Sequence, residues 1–243
     1  MAPPFAMYTA KLSEKRQHNE MFFQLRLELV SPNRLEFQAG QYVILNVPGH
    51  AKKKSYSICS APSTTHAIEL LIDTAPGGPG SIYARNIQPG EEVTFMAPFG
   101  RFIVAPQNTE IGQAEKKLMF IATGSGIAPM LGMLKDLLID KGDKRPMTLY
   151  WGLRYAEDQL WFEEFDLLAR EHPNFTFHPT LSRPPEDWPL CRGRVTDCLT
   201  VHPQSPADTG YYLCGSTPMI NDVSAVLLKL GAKSEHIHHE KFI

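Results

Sequence analysis

Four short segments of this chain carry residue types that could do chemistry. The first is Gly124-Ser125-Gly126-Ile127-Ala128-Pro129. It follows the apolar run Leu118-Met119-Phe120-Ile121-Ala122 and precedes an amphipathic stretch with Met130, Leu131, Leu134, Leu137 and Leu138 on one face. That order reads as strand, glycine turn, helix. Glycines let the backbone approach a pyrophosphate, whose charge then sits at the helix N-terminus. Gly124, Gly126 and Pro129 are therefore candidates for nucleotide binding, and Thr123 stands where it can reach a ribose or a nicotinamide. The second segment, Gly77-Gly78-Pro79-Gly80-Ser81, is another glycine turn before a short helix. Its backbone N–H groups suit a phosphate, with Gly78, Gly80 and Ser81 as the candidates; a plain hairpin turn is the alternative. The third, Cys214-Gly215-Ser216-Thr217-Pro218-Met219, ends the apolar run Tyr211-Tyr212-Leu213. Ser216 or Thr217 caps a helix there, with Pro218 in its first turn. The fourth is Lys54-Ser55-Tyr56-Ser57, which opens a strand continuing into Ile58-Cys59.

Two blocks of secondary structure must position these segments. Up to about residue 110 the chain reads as strands at Met7–Leu12, Phe22–Val30, Gln41–Val47, Ser55–Cys59, Ile68–Asp73 and Glu92–Met96, with a short helix at Ser81–Asn86. Apolar and polar residues alternate through Phe23-Gln24-Leu25-Arg26-Leu27-Glu28-Leu29, and turn signals such as Ser31-Pro32-Asn33 and Pro89-Gly90 separate the runs. Many short strands at regular spacing predict a small antiparallel β-barrel. Residues 105–117 are polar and without apolar period, which places the domain boundary there, between an N-terminal domain 1–112 and a C-terminal domain 113–243. Beyond it, strands 118–123, 147–151, 175–180, 211–214 and 236–239 alternate with helices 128–141, 158–171 and 217–230. That pattern predicts an α/β domain with a parallel sheet.

Bulk properties exclude several classes. A net charge of −2 and a near-even spread of charge between the halves give no sign of nucleic-acid binding. No apolar run approaches the roughly 20 residues of a membrane span. Met1-Ala2-Pro3-Pro4-Phe5 lacks the features of a signal peptide, so the expected location is cytoplasmic. The four cysteines are scattered without metal-type or ferredoxin-type spacing, and Cys59, Cys191 and Cys198 read as reduced, buried thiols. The tail His236-Ile237-His238-His239 invites a metal reading. On a strand, however, His236 and His238 share one face and His239 the other, with no fourth ligand, so no metal is expected.

Lys54-Ser55-Tyr56-Ser57, Gly124 to Pro129 and Cys214 to Met219, in this order, resemble the ferredoxin–NADP⁺ reductase superfamily of two-domain flavoenzymes, which move hydride between a nicotinamide and a flavin. The resemblance covers residues 7–243 and includes Phe37-Gln38-Ala39-Gly40-Gln41-Tyr42 and Pro98-Phe99-Gly100-Arg101-Phe102, read as barrel-shaping segments. It implies that Lys54, which replaces the family's arginine, neutralises a flavin phosphate as a point charge. Tyr56 packs on the flavin ring, Ser57 presents its hydroxyl near flavin N5, and Gly78, Gly80 and Ser81 form a second phosphate segment, which favours FAD over FMN. Cys214, in the family's Cys-Gly-x-x-x-Met pattern with Gly215 and Met219, shapes the pocket where nicotinamide meets flavin and is not a nucleophile. Phe242 in Glu240-x-Phe242 covers the flavin face on which nicotinamide stacks. Ser57, Cys214 and Phe242 are thus the expected catalytic set.

No acid suited to a ribose diol follows the glycine turn. Arg154, Ser182, Arg183 and Arg194 match bacterial NADPH-dependent flavodoxin reductases instead, so NADPH is the expected electron donor and NADH the alternative. The implied activity is an FAD-dependent NAD(P)H oxidoreductase serving a redox protein: a ferredoxin, a flavodoxin or an oxygenase component. A reductase of free flavin and a flavin- or nucleotide-binding subunit without turnover are the competing expectations.

Overall fold

The computed structural model describes residues 5–50, 53–201, 206 and 208–242. Residues 1–4, part of the segment in which no targeting signal was expected, lie outside the described residues. The chain divides into two compact units. One is built from the residues up to Ile103 together with Ala128–Gly142, and the other from Val104–Ile127 with Asp143 onward.

The first unit is a six-stranded antiparallel barrel. Its strands are β1 (Ala6–Gln17), β2 (Phe22–Ser31), β3 (Tyr42–Leu45), β4 (Lys54–Ser57), β5 (Ala67–Asp73) and, after helix α1 (Pro79–Asn86), β6 (Glu92–Phe99). Their order is β4-β3-β6-β1-β2-β5, and a bridge from Ile58 to Leu70 joins the two ends. Alternation decides which side chains go inside. Tyr8, Ala10 and Leu12 of β1 meet Leu25 and Leu27 of β2, Ile68, Leu70 and Ile72 of β5, and Val93, Phe95 and Ala97 of β6. The outward residues between them stay polar: Arg26 of β2 pairs with Glu69 of β5 at 3.1 Å. The β1–β2 turn is closed by Asn19, whose side-chain oxygen accepts from the N–H groups of Met21 and Phe22 at 2.9 Å. Helix α1 lays Ala84 on the same core, with Ile87 just beyond its end.

The second unit continues with α2 (Glu110–Ala114), β7 (Lys117–Thr123), α3 (Ile127–Leu134, counted with the first unit from Ala128), β8 (Met147–Leu153), α4 (Phe162–Glu171), β9 (Phe175–Leu181), β10 (Cys191–Arg192), α5 (Val195–Val201), β11 (Thr209–Ser216), α6 (Thr217–Lys229) and β12 (Ile237–Phe242). All six strands are parallel, in the order β10-β9-β8-β7-β11-β12. Both faces are covered, which explains why β7 and β11 read as unbroken apolar runs rather than alternating ones. On one face Met119, Ile121, Tyr150, Tyr211 and Leu213 pack with Val195, Cys198 and Leu199 of α5 and Ile220, Val223 and Leu227 of α6. On the other, Phe165 of α4 meets Trp151 and Phe177. Strand order reverses between β7 and β11, so the crevice beyond their C-terminal ends is the place where such sheets bind ligands.

Several expectations need correction. The helix read from residue 158 starts at Phe162, after a 3₁₀ turn at Ala156–Asp158 and a left-handed Trp161 with φ 56°. Leu160 and Trp161 are both buried, and that burial offsets the left-handed backbone. The helix expected over 128–141 is α only to Leu134 and continues as a π-helix over Lys135–Asp140. The short β10 and α5 have too few residues to show a period. They also overturn the reduced-thiol reading of Cys191 and Cys198: a strand, a tight turn at Gly193 and a helix bring the two Cα atoms to 5.9 Å, and the sulfurs are bonded. Cys59 and Cys214 carry no disulfide and are buried.

The segment read as a featureless polar linker holds the most buried carboxylate of the unit. Glu115 is fully buried. Its Oε2 accepts from the Tyr212 hydroxyl at 2.7 Å, while its Oε1 takes His238 Nε2 at 2.7 Å and His236 Nδ1 at 3.4 Å. Tyr212 in turn accepts from the N–H of Ala105 at 3.0 Å. A Cβ at Gly210 would strike the carboxylate, so glycine makes room for it on β11. Burial pushes the Glu115 pKa up, but the hydrogen bonds from His238 and Tyr212 outweigh it and hold the group below the ordinary 4.5. A carboxyl depressed on folding stabilises the folded state above its unfolded pKa, and that contribution is lost as pH falls through the lower folded value. Glu115→Gln should therefore lower stability near neutral pH by about 1–3 kcal/mol, the worth of hydrogen bonds to a charged group, and should flatten the acid limb below 4.5. Urea unfolding across the acid range checks this; identical midpoints for variant and parent at every pH would show that the charge contributes nothing.

Candidate functional site

In the barrel unit the residues expected at the flavin converge on β4 and the start of α1. Lys54 is exposed, Tyr56 half-buried and Ser57 buried, as a strand dipping from rim to core requires. A Cβ at Gly80 would collide with the Tyr56 hydroxyl and lie 3.3 Å from Lys54 Cγ, so the absence of a side chain lets α1 reach β4. Gly78 is the N-cap of α1, with no side chain capping the helix and Pro79 following. No atom lies within 4 Å of a Cβ built on Gly77 or Gly78, so this turn faces open space. The buried Ser81 hydroxyl leans on the Asp73 carbonyl at 3.5 Å. Burial, then the nearby Asp73, push the Tyr56 phenol up to about 12, which keeps it a neutral hydrogen-bond donor.

Ser57 Oγ has no hydrogen-bond partner among the described residues although the residue is only 3% exposed. Buried hydroxyls are normally satisfied, and an orphan points to a partner supplied from outside the chain. A flavin edge bearing hydrogen-bonding atoms fits that orphan. The open glycine turn with its uncapped helix start fits a phosphate. Together they fit the two kinds of group that an FAD carries, a ring edge and a phosphate.

In the second unit the nucleotide candidates gather at the switch point. Thr123 ends β7, Gly124–Gly126 form a single 3₁₀ turn, and Trp151 Nε1 donates to the Gly124 carbonyl at 3.1 Å, pinning the turn from β8. A Cβ on Gly126 would run into the Cys214 carbonyl and sit 3.0 Å from the N of Gly215. A Cβ built on Gly215, at φ +152°, would collide with the Thr123 hydroxyl and lie 2.7 Å from Met219 Cε. Thr123, Gly126, Cys214, Gly215 and Met219 therefore form one close-packed floor. Ser216 caps α6, accepting from the Met219 N–H at 3.4 Å. Pro129 lies in α3, which belongs to the first unit, where a Cβ on Gly132 would touch the carbonyls of Ile58 and Ser60 at 3.0 and 3.2 Å.

Arg154, Ser182, Arg183 and Arg194 occupy the C-terminal ends of three adjacent strands. Ser182 N–H donates to the Leu153 carbonyl at 3.0 Å and Arg183 N–H to the Arg154 carbonyl at 2.9 Å. Gly193 N–H donates to the Leu181 carbonyl at 2.8 Å, which brings Arg194 beside them. The Arg183 guanidinium donates to the Tyr155 hydroxyl at 2.8 Å and covers its ring at 5.8 Å. The backbone N–H of Arg194 is held by Asp197 Oδ2 at 2.7 Å.

Burial, reinforced by the charge of Glu240, drives the Cys214 thiol well above its ordinary 9.0, so it stays protonated. Glu240 is the residue that sequence reasoning left without a role. It sits directly opposite Cys214 in the β11–β12 pairing. Its spacing two residues before Phe242 was the one available signal. Phe242 pairs by its backbone with Ser216, and the stacking expected of its ring lies outside the described residues. His236 and His238 turn toward Glu115, and among the described residues no group of three or more His, Cys, Asp or Glu side chains is arranged to hold a metal.

Comparison with known proteins matches residues 9–103 to the oxidoreductase FAD-binding domain and residues 120–225 to the oxidoreductase NAD-binding domain. The toluate 1,2-dioxygenase electron transfer component of Pseudomonas putida is 29% identical over 238 residues, covering 98% of this chain and 68% of that protein. The propane 2-monooxygenase reductase component of Mycolicibacterium goodii is 30% identical over 224 residues, covering 90% and 62%. The chain thus spans about two thirds of the length of these curated relatives. Among solved structures, the Amycolatopsis cytochrome P450 reductase GcoB superposes with a TM-score of 0.89 at 28% identity, covering 98% of this chain and 70% of that one. A ferredoxin NADP⁺ reductase from Neisseria gonorrhoeae with bound FAD and NADP shares the fold at a TM-score of 0.81 and 22% identity, covering 98% and 99%. No helix is long and apolar enough to cross a membrane among the described residues. With an FAD-binding barrel and an NAD-binding α/β domain matched in that order, the chain belongs to the ferredoxin–NADP⁺ reductase superfamily of oxidoreductases.

Proposed function

We propose that this protein is an FAD-dependent NAD(P)H oxidoreductase that takes electrons from a nicotinamide nucleotide and delivers them to a redox protein, with an oxygenase component as the favoured acceptor. The observation that carries the reading is the buried, partnerless hydroxyl of Ser57, on a strand flanked by an open glycine turn. The acceptor class follows the relatives, named as electron transfer and reductase components of a dioxygenase and a monooxygenase. Residues 1–112 are assigned to flavin binding, residues 113–243 to the nucleotide, and the location to the cytoplasm.

Bound FAD would supply the redox chemistry itself, accepting two electrons and releasing them one at a time. The chain's residues bind and orient. Lys54 and the N–H groups at Gly78–Ser81 hold phosphate, Tyr56 supports the ring system and Ser57 donates to its edge. Thr123, Gly124, Gly126 and Pro129 line the nucleotide turn, and Gly215 and Met219 keep the floor flat enough for a nicotinamide. Cys214 contributes volume and a neutral thiol, because a thiolate would attack substrate and repel electron-rich groups. Phe242 is assigned the flavin face that nicotinamide must share. Arg154, Ser182, Arg183 and Arg194 are assigned the 2′-phosphate of NADPH, with NADH as the weaker donor.

The lysine at position 54, where the family carries arginine, favours a second reading as a reductase of free flavin, since a point charge holds phosphate less firmly than a bidentate fork. Flavin that co-elutes with the protein in gel filtration supports the first reading. Its complete loss on the column supports the second.

Two substitutions test the assignments. Ser57→Ala should slow flavin reduction in anaerobic stopped-flow by about 10-fold or more while FAD retention stays near the parent's, because the lost bond acts at the reacting centre. An unchanged rate would remove Ser57 from the site. Arg183→Ala should weaken NADPH roughly 10- to 100-fold, the equivalent of one charge-assisted hydrogen bond, and spare NADH. Equal losses for both nucleotides, read by difference spectroscopy, would return Arg183 to a purely structural role beside Tyr155.

A further inference from the structure

We propose that Cys191 and Cys198 form a reversible thiol–disulfide switch that sets the grip of the nucleotide-phosphate arm. The inference rests on the assignment of Ser182, Arg183 and Arg194 to the nucleotide phosphate. The bonded pair spans seven positions of sequence and encloses Arg192, Gly193 and Arg194. Apart from the bond, short-range hydrogen bonds and one brief strand pairing hold this segment. β10 contributes only two residues to the sheet, at its very edge, paired Cys191 with Thr180 and Arg192 with Leu181. Those partners immediately precede Ser182 and Arg183.

The loop that follows Arg183 is hung from the same two residues. Trp188 Nε1 donates to the Cys191 carbonyl at 3.1 Å, and the Arg192 guanidinium donates to the Trp188 carbonyl at 2.9 Å. On the other side Gly193, at φ +98°, makes the sharp turn that glycine tolerates, and Asp197 holds the Arg194 N–H. Cys198 is anchored in the core of the second unit, packed with Val195, Leu199 and Tyr150. The disulfide therefore ties a weakly paired edge strand, and with it both arms of the arginine cluster, to a fixed point in the core. Opening it leaves Arg183 and Arg194 on a segment that must be ordered by each nucleotide that binds. Ordering costs affinity, and it costs most for the ligand that uses the arginines.

The two cysteines differ in burial. Cys191 is half-buried whereas Cys198, Cys59 and Cys214 are buried, so exchange with a small thiol or disulfide is assigned to Cys191. The exchange balances with a low-molecular-weight disulfide such as glutathione disulfide. The Cys191 thiolate attacks one of its sulfurs and releases one thiol; Cys198 then displaces the second. Two protein thiols are oxidised, the small disulfide is reduced by two electrons, and the two thiol protons end on the departing thiols.

The test uses the intact flavin-loaded protein. It is equilibrated in buffers of graded glutathione to glutathione disulfide ratio, then freed of glutathione. Alkylation after unfolding, read by mass spectrometry, should show all four cysteines modified in the reduced form and only Cys59 and Cys214 in the oxidised form. NADPH affinity by difference spectroscopy should fall roughly 5- to 10-fold on reduction, with NADH changing less than about 2-fold. Cys191→Ser should sit at the low-affinity value in every buffer, and Cys198→Ala, checked for a native flavin spectrum, should repeat it. NADPH affinity that ignores the redox buffer while Arg194→Ala weakens it overturns the switch alone. If Arg194→Ala leaves NADPH affinity unchanged, the phosphate assignment fails, and the switch fails with it. A pair that never gains alkylatable thiols across the buffer range also overturns the proposal.

Discussion

The contact on which the nucleotide side of this molecule depends is backbone against backbone. Gly126 meets the Cys214 carbonyl so closely that even a methyl group would not fit. The end of β7 and the end of β11 are drawn together at the point where the strand order reverses, and Gly215 repeats the approach toward Thr123. A side chain at either glycine would separate the two strand ends and replace a flat floor with a ridge. Packed protein interiors have no slack to absorb such a change. The remaining features support this junction from outside. Trp151 pins the turn from β8, Ser216 starts α6 in line with β11, and β12 adds Glu240 beside Cys214.

The parts of this arrangement legible in the sequence are those in which a local rule and the global fold agree. The antiparallel barrel showed as alternation in β2, and the parallel sheet as apolar runs separated by helical periods. Gly126 and Gly215 could be read because close backbone approach leaves a glycine in the sequence. Cys214 was legible through its strand-end position and the cap that follows. Glu115 was not, because its burial is decided by partners more than 90 positions away, Tyr212, His236 and His238, in a segment with no apolar period. The tail histidines invited a metal reading, set aside for want of a fourth ligand, because the carboxylate that binds His236 and His238 was invisible along the chain.

Cys191 and Cys198 illustrate a different failure. Spacing alone cannot tell a disulfide from two separate thiols, since seven positions cover either a straight helix or a reversal. What decides is Gly193, whose positive φ folds β10 back toward α5, and the Asp197 side chain that holds the turn. A two-residue strand and a seven-residue helix are below the length at which periodicity speaks. Trp161 is similar: a left-handed tryptophan has no propensity argument behind it and exists because the core accepts its ring.

Burial keeps the protons on two of the candidate site residues, one in each unit. Tyr56 is pushed up to about 12 and Cys214 well above 9.0, both chiefly by burial, so each keeps its proton near neutral pH. Ser57 does not titrate at all in that range. Neutral groups of this kind suit a reaction in which residues orient ligands and a cofactor moves the electrons. Hydrogen-bonded ion pairs tie the scaffold of the second unit. The Glu115 carboxylate with its histidines joins the linker to β11 and β12, and Arg145 joins Asp143 at 2.6 Å near the start of β8. Acid consequently acts on the scaffold first. As Glu115 takes up a proton, the attachment of residues 105–115 to the sheet loosens, while the Cys214 thiol keeps its proton.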